Sequence, residues 1–203
     1  MAELTPAPED TRAVYDRQAA AYDAQRSRAL FEARWLARFT AALPAGAHVL
    51  DLGCGTGDPI ARWFKAEGFR VTGMDFSPEM LRIARERWPE GDWREADMRA
   101  FEAPERFDGI IAWNSFFHLP AAEQPACIAR MARHLAPHGV LMLTVGHAAG
   151  AADGTVGGER VFHDSLSPAA YAKALEDNGL RLTGFLAEDP ETQSHTVLMA
   201  RKP

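Results

Sequence analysis

Apolar residues recur along this chain with two different periods, and where the period changes the local structure is expected to change with it. Tyr15, Ala19 and Tyr22 share one face at helical spacing, and Phe31, Trp35, Leu36 and Phe39 form a second apolar stripe that Pro44 and Gly46 end. Beyond that point short apolar runs take over, at 48–52, 69–74, 107–112 and 140–145, with a shorter one near 92–96. Gly, Asp or Asn bounds them in the manner of buried strands. Between the runs, residues 58–67, 78–88 and 121–135 carry helix-length stripes; Ser77-Pro78 reads as an N-cap followed by the first helical position, and Gly139 lies just past the third helix. Alternating strand and helix predicts a parallel α/β sheet, doubly wound, with helices on both faces. The tail breaks this rhythm. Ser167-Pro168 opens a helix over 169–178 that Gly179 ends, and strands at 180–187 and 194–201 are separated only by Glu188, Asp189, Pro190 and Glu191. So short a link predicts an antiparallel C-terminal hairpin.

Composition then narrows the function classes. At 203 residues one domain is expected, large enough to bury roughly 70% of the unfolded chain's surface without a disulfide or metal staple. Lys and Arg total 22 against 28 Asp and Glu, a net charge of −6 that supplies no attraction for a nucleic-acid backbone or an anionic membrane. Cys54 and Cys127 sit in no CxxC or Cys/His ligand pattern, which fits a reducing cytoplasm. Residues 1–12 show no basic leader or apolar core, and no apolar run approaches about 18 residues, so neither secretion nor a membrane span is expected. Five glycines within 146–158 predict a mobile loop. His147, His163 and Asp153 have no metal-ligand spacing, and no metal is expected.

The densest chemical signal is the strand 49–52 running into Gly53-Cys54-Gly55-Thr56-Gly57 and then a helix. Glycines at alternate positions let a backbone turn sharply and approach a nucleotide-like ligand. A dinucleotide fingerprint needs GxGxxG, and here Asp58 stands where its last glycine belongs; at a helix start Asp58 is also expected to repel a pyrophosphate. No GK[ST] follows, which excludes a P-loop. The expected ligand contains a nucleoside with no phosphate at the turn.

In these residues the chain resembles a class I S-adenosylmethionine-dependent methyltransferase of the small-molecule type. VLDLGCGTG at 49–57 is close to the family's first motif, and the other motifs follow in family order across about residues 45–201. The resemblance implies a Rossmann-like seven-stranded sheet with a reversed last strand. It implies that Asp51 orients the loop and meets the donor's ammonium group, and that Gly53, Cys54, Gly55 and Gly57 form the donor turn. Asp75, 18 residues beyond Gly57 and followed by Phe76, takes both ribose hydroxyls; Asp97 and Met98 hold the adenine. Trp113 and Asn114 follow the fourth strand, whose end reaches the donor's methionine portion. Tyr15-Asp16 and Tyr22-Asp23 resemble the helix that small-molecule members fold over the donor, which sets Tyr22 near the sulfonium methyl unless both tyrosines only pack that helix.

The co-substrate implied is S-adenosylmethionine, released as S-adenosylhomocysteine. The reaction is methyl transfer to an O, N or C nucleophile of a small molecule. In-line displacement at a sulfonium needs a base only when the acceptor must lose a proton. His118 is the best-placed candidate, ahead of His147 and His163. Asn114-Ser115-Phe116-Phe117 lacks the prolines of amino-methylating DNA enzymes, and the acidic chain has no target-recognition domain. Trp113, Phe116 and Phe117 either line an acceptor pocket or pack the core. The expected organisation of 1–203 is a helical cap over 1–44, a donor-binding core over 45–145, a flexible loop over 146–165 with Arg160, His163 and Asp164 as polar contacts, and a helix and hairpin over 166–203. Two alternatives remain: a catalytically inactive protein that binds the donor, and a nicotinamide-dependent oxidoreductase.

Overall fold

The computed structural model describes residues 7–8 and 10–203; residues 1–6 and 9, and with them the start of the expected cap and most of the segment read for a leader, lie outside the described residues. Two N-terminal helices, α1 (Asp10–Gln25) and α2 (Ala33–Thr40), precede β1 (His48–Leu52), α3 (Ile60–Ala66), β2 (Arg70–Asp75), α4 (Pro78–Arg87), β3 (Asp92–Glu95) and β4 (Phe107–Ala112). The chain continues through α5 (Gln124–His134), β5 (Leu135–Val145), β6 (Ala152–Val156), β7 (Glu159–His163), α6 (Pro168–Asp177), β8 (Arg181–Asp189) and β9 (His195–Arg201). Seven strands form one sheet in the order β3-β2-β1-β4-β5-β9-β8, in which β9 alone runs against its neighbours.

The strands alternate their side chains between two cores, as a pleated backbone buried on both faces must. Leu50, Ile110 and Leu141 face α5 and α6, where Ile128, Met131 and Tyr171 are fully buried. Val49, Ile111 and Met142 face the other way, onto Phe39 of α2 and Phe64 of α3. Two helices start where the sequence places their caps: Ser77 accepts from the Met80 amide and Ser167 from the Ala170 amide, each contact contributing about 1 kcal/mol.

Three boundaries differ from the sequence reading. α5 ends at His134 and β5 begins at once, because Leu135 pairs with Phe107. Gly139 is thus inside a strand, where a Cβ would stand 2.9 Å from the Ala136 carbonyl oxygen and 3.0 Å from that of Asp108. β8 continues to Asp189, and the turn to β9 closes through Gln193 and Ser194, both left-handed. Within 146–165, read as a flexible loop, β6 and β7 pair as an antiparallel hairpin with Ala152 opposite His163. Val156 and Val161 of that hairpin bury against Val14 of α1, forming a small separate core the glycine content had concealed. Among the described residues no helix is long and apolar enough to cross a membrane, and no group of three His, Cys, Asp or Glu side chains is arranged to hold a metal.

Candidate functional site

Strand order reverses between β1 and β4, and in an open parallel sheet the crevice beyond the carboxyl ends of two such strands is where ligands bind. A cavity of about 760 Å³ lies there. α1 roofs it with Thr11, Tyr15 and Tyr22; the floor is the turn after β1 and the segment after β4. α1 is fastened over the crevice at its C-terminal end, where Arg87 of α4 grips the Asp23 carboxylate with two nitrogens at 2.9 and 2.6 Å and Thr56 donates to the same group.

The glycine turn is set by its protein neighbours. Gly53 and Cys54 donate their amides to the Met74 carbonyl, tying the turn to β2. Gly53 has φ +79, and a Cβ on it would lie 2.3 Å from that of Ser115. Gly57 is also left-handed, and its Cβ would enter the indole of Trp93 at 2.5 Å. Gly53 and Gly55 line the cavity; Gly57 and Cys54 do not. The Cys54 thiol points instead into the cluster around Trp93, and burial raises its pKa well above the ordinary value.

The acidic residues separate into distinct roles. Asp75 is 6% exposed and accepts the Gly55 amide on one carboxylate oxygen and the Ser77 amide on the other, both at 2.8 Å. Burial raises its pKa to about 6 against these amide bonds. Asp97 also lines the cavity; burial would raise its pKa, but Arg99, bonded to both oxygens at 2.6–3.0 Å, holds it below the usual range. Its sequence neighbours Asp92 and Glu95 turn elsewhere, to Thr72 and Arg94 and to Arg12. Asp51 sits behind the turn, 2% exposed and outside the cavity lining, its pKa raised to about 7 by burial and by Asp75 and opposed by Arg26. Asp58 does not act as the sequence suggested. Its carboxylate is buried against Arg28 at 2.8 Å and Arg62 at 3.3 Å, so its charge is compensated there and does not face the cavity.

His118 and Tyr15 form a pair whose polarity is determined. His118 Nδ1 is 2.8 Å from the Phe162 carbonyl oxygen and Nε2 is 2.9 Å from Tyr15 Oη. A carbonyl only accepts, so Nδ1 carries the hydrogen; the neutral ring then accepts at Nε2, and the Tyr15 hydroxyl donates. Burial, outweighing the Phe162 bond and aided by His163, lowers the His118 pKa to about 4. The Tyr15 pKa is raised well above its usual value by burial, then by Tyr22 and Asp75, so the phenol keeps its proton.

Tyr22, Phe76, Met98 and Asn114 line the cavity with these groups. Trp113 does not; it is 4% exposed and packs between the sheet and α2. Phe116 is fully buried in the main core, whereas Phe117 lines a second cavity of about 800 Å³ bounded by the β6–β7 hairpin. The two cavities share Tyr15, Tyr22 and Asn114. Of the other histidines, His163 lines the second cavity and His147 lies outside both. Asp164 accepts from the Ala121 amide, and Arg160 pairs with Asp153. Sequence reasoning set Tyr15 on the covering helix but named Tyr22 alone as a site residue, and it did not name Arg99. The seven-residue spacing of the two tyrosines, two helical turns apart, carried the signal for Tyr15; nothing in the sequence distinguished Arg99.

A methyltransferase domain family matches residues 49–139. The ubiquinone biosynthesis O-methyltransferase of Xanthomonas axonopodis pv. citri (strain 306) is 31% identical over 166 residues, 71% of this chain and 68% of that protein. The trans-aconitate 2-methyltransferase of Azoarcus sp. (strain BH72) is 40% identical over 105 residues, 50% of this chain and 40% of its own length. The chain spans less than two thirds of the length of several such curated relatives. Among solved structures, an amino pentose methyltransferase of Micromonospora echinaspora with SAM bound superposes with a TM-score of 0.72 at 23% identity, covering 92% of this chain and 96% of that one.

Proposed function

Because the chain belongs to the class I S-adenosylmethionine-dependent methyltransferases, we infer that the first cavity binds S-adenosylmethionine and that its methyl group passes to a small molecule in the second cavity. The observation that carries this reading is the meeting of the two cavities at Tyr15, Tyr22 and Asn114, where a donor on one side and an acceptor on the other can be held in line.

The residues suit the donor's chemistry. Each Asp75 oxygen spends one lone pair on a backbone amide and keeps another, which matches a pair of vicinal ribose hydroxyls. Asp97, held ionised by Arg99, retains acceptor capacity for an amino group of the base. Asp51, buried behind the glycine turn and beside Asp75, is the carboxylate assigned to balance the donor's ammonium group. Gly53 and Gly55 leave the turn without side chains on the cavity side.

Calorimetry tests this directly. S-Adenosylmethionine or S-adenosylhomocysteine should bind, and the affinity should fall as pH drops below about 7, approaching tenfold per pH unit, because the cationic donor favours the ionised form of Asp51 and a raised pKa means protons must leave on binding. Preferential binding of NAD would overturn the donor reading, and an affinity flat from weakly acid to weakly alkaline pH would remove Asp51 from it.

His118 enters as a proton relay through Tyr15. His118→Asn should lower the transfer rate by about 10- to 100-fold, at the modest end of general acid–base contributions, while donor affinity stays within about threefold. An unaltered rate would reduce His118 to packing.

A further inference from the structure

The lining of the second cavity selects among acceptors on two independent counts. The first is charge. Among the described residues lining this cavity there is no carboxylate, and the one permanently charged group is the Arg26 guanidinium. Arg26 is only 10% exposed, held by Glu32 and the Ser27 carbonyl and lying 5.1 Å from the Phe31 ring centre. His163, also in the lining, has its pKa lowered by burial and stays uncharged near neutrality. With the Arg26 charge already paired to Glu32, an alkylammonium entering here loses its water and meets no free counter-charge, an arrangement that proteins avoid. The remaining walls suit a flat molecule: the rings of Tyr15, Tyr22, Phe117, His163 and His195 surround the space.

The second count is hydrogen-bond polarity at the junction. The Tyr15 hydroxyl hydrogen is committed to His118 Nε2, and His118 cannot exchange roles because its own hydrogen is committed to the Phe162 carbonyl. Tyr15 Oη therefore has only lone pairs to offer a newcomer. A nucleophile bearing N–H or O–H satisfies them; one without hydrogen leaves a buried acceptor unpaired.

We propose that the second cavity takes its methyl acceptor as a planar, uncharged aromatic molecule whose nucleophile is a weakly basic N–H or O–H group donating to Tyr15 Oη. This deepens the methyl-transfer reading and rests on it. In the step, the nucleophile's lone pair bonds to the methyl carbon while the carbon–sulfur pair returns to sulfur, giving a neutral thioether and a cationic methylated N or O. That charge is discharged when the acceptor's hydrogen passes to Tyr15 Oη and the Tyr15 hydrogen passes to His118 Nε2, leaving an imidazolium that releases its proton to water. So feeble a base as His118 takes a proton from an arylammonium, an acid of comparable strength, and not from an alkylammonium.

The test uses the full chain with S-adenosylhomocysteine bound, that binding being measured first; its failure would count against the donor reading itself. Three probes are then titrated near neutral pH: aniline, N,N-dimethylaniline and cyclohexylammonium. Aniline should bind about 10-fold or more tighter than cyclohexylammonium, from the missing counter-charge, and about 5-fold tighter than N,N-dimethylaniline, from one hydrogen bond. Tyr15→Phe should bring the second ratio to about 1 and leave the first. Thr155→Asp, which places a carboxylate at the cavity's exposed rim, should narrow the first ratio and leave the second. Equal binding of aniline and cyclohexylammonium, absence of binding by all three probes to the loaded protein, or a dimethylaniline ratio unchanged in Tyr15→Phe would each overturn the proposal.

Discussion

Replacing Asp75 by Ala is expected to weaken S-adenosylmethionine binding by about 1.5–3 kcal/mol, roughly 10- to 150-fold, the cost of losing a charged hydrogen-bond acceptor. The geometry makes Asp75 more than a ligand contact. Its carboxylate receives the Gly55 amide at one end and the Ser77 amide at the other, so it joins the glycine turn to the start of α4. Removing it leaves two donors unmet as well as the ribose site empty, and some loss of stability should accompany the loss of affinity. Asp75→Asn separates poorly from Ala in this respect, because an amide has one acceptor oxygen for two fixed N–H groups. The measurement is donor affinity by calorimetry, with thermal unfolding of each variant as a control on folding. Donor affinity equal to that of the parent protein would remove Asp75 from the ribose site.

Trp93→Ala should be the most destabilising of the simple substitutions near the site, by about 3–5 kcal/mol. Trp93 is 8% exposed, on β3, and its indole fills the space beneath the glycine turn. Three glycines are required by that ring: a Cβ at Gly57, Gly73 or Gly91 would come within 2.5, 2.4 or 2.2 Å of it. Its Nε1 donates to the Trp88 carbonyl, so the ring is also fixed in orientation. Urea unfolding of Trp93→Ala, Gly57→Ala and the double variant forms a test by coupling. In the parent protein Gly57→Ala suffers both a left-handed backbone and the clash with the ring; without the ring only the backbone cost of about 1 kcal/mol remains. A loss below about 1 kcal/mol in Trp93→Ala, or strictly additive effects, would show that the ring does not support the turn.

The packing of Trp93 gives the turn's glycines a cause within the protein. From the sequence, alternate glycines meant close approach of a ligand. In the structure Gly53 is required by Ser115 and Gly57 by Trp93, both protein neighbours. The glycines thus have a partly different cause from the one the motif suggests, since a turn this tight between a buried strand and a helix must pass side chains on both sides. Asp58 teaches the same lesson about charge. Its formal sign was legible, but its three arginine neighbours come from the loop after α1, from α3 and from α4, and no local pattern brings them together.

What the sequence determined by itself is whatever depends on near neighbours along the chain. Short apolar runs between helical stripes set the parallel sheet, the short 188–191 link set the reversed last strand, and Ser77 and Ser167 set their caps. What the tertiary structure decided depends on groups distant in sequence. It paired Tyr15 with His118 across 103 positions and His118 with Phe162 across 44, and so determined which atom holds each proton. It folded the glycine-rich segment 146–165 onto α1 as the wall of a second cavity, because Val156 and Val161 find in Val14 an apolar partner that neither hairpin strand offers alone. Periodicity records which face of an element is apolar; only packing records what that face meets, and the chemistry of this site is set by those meetings.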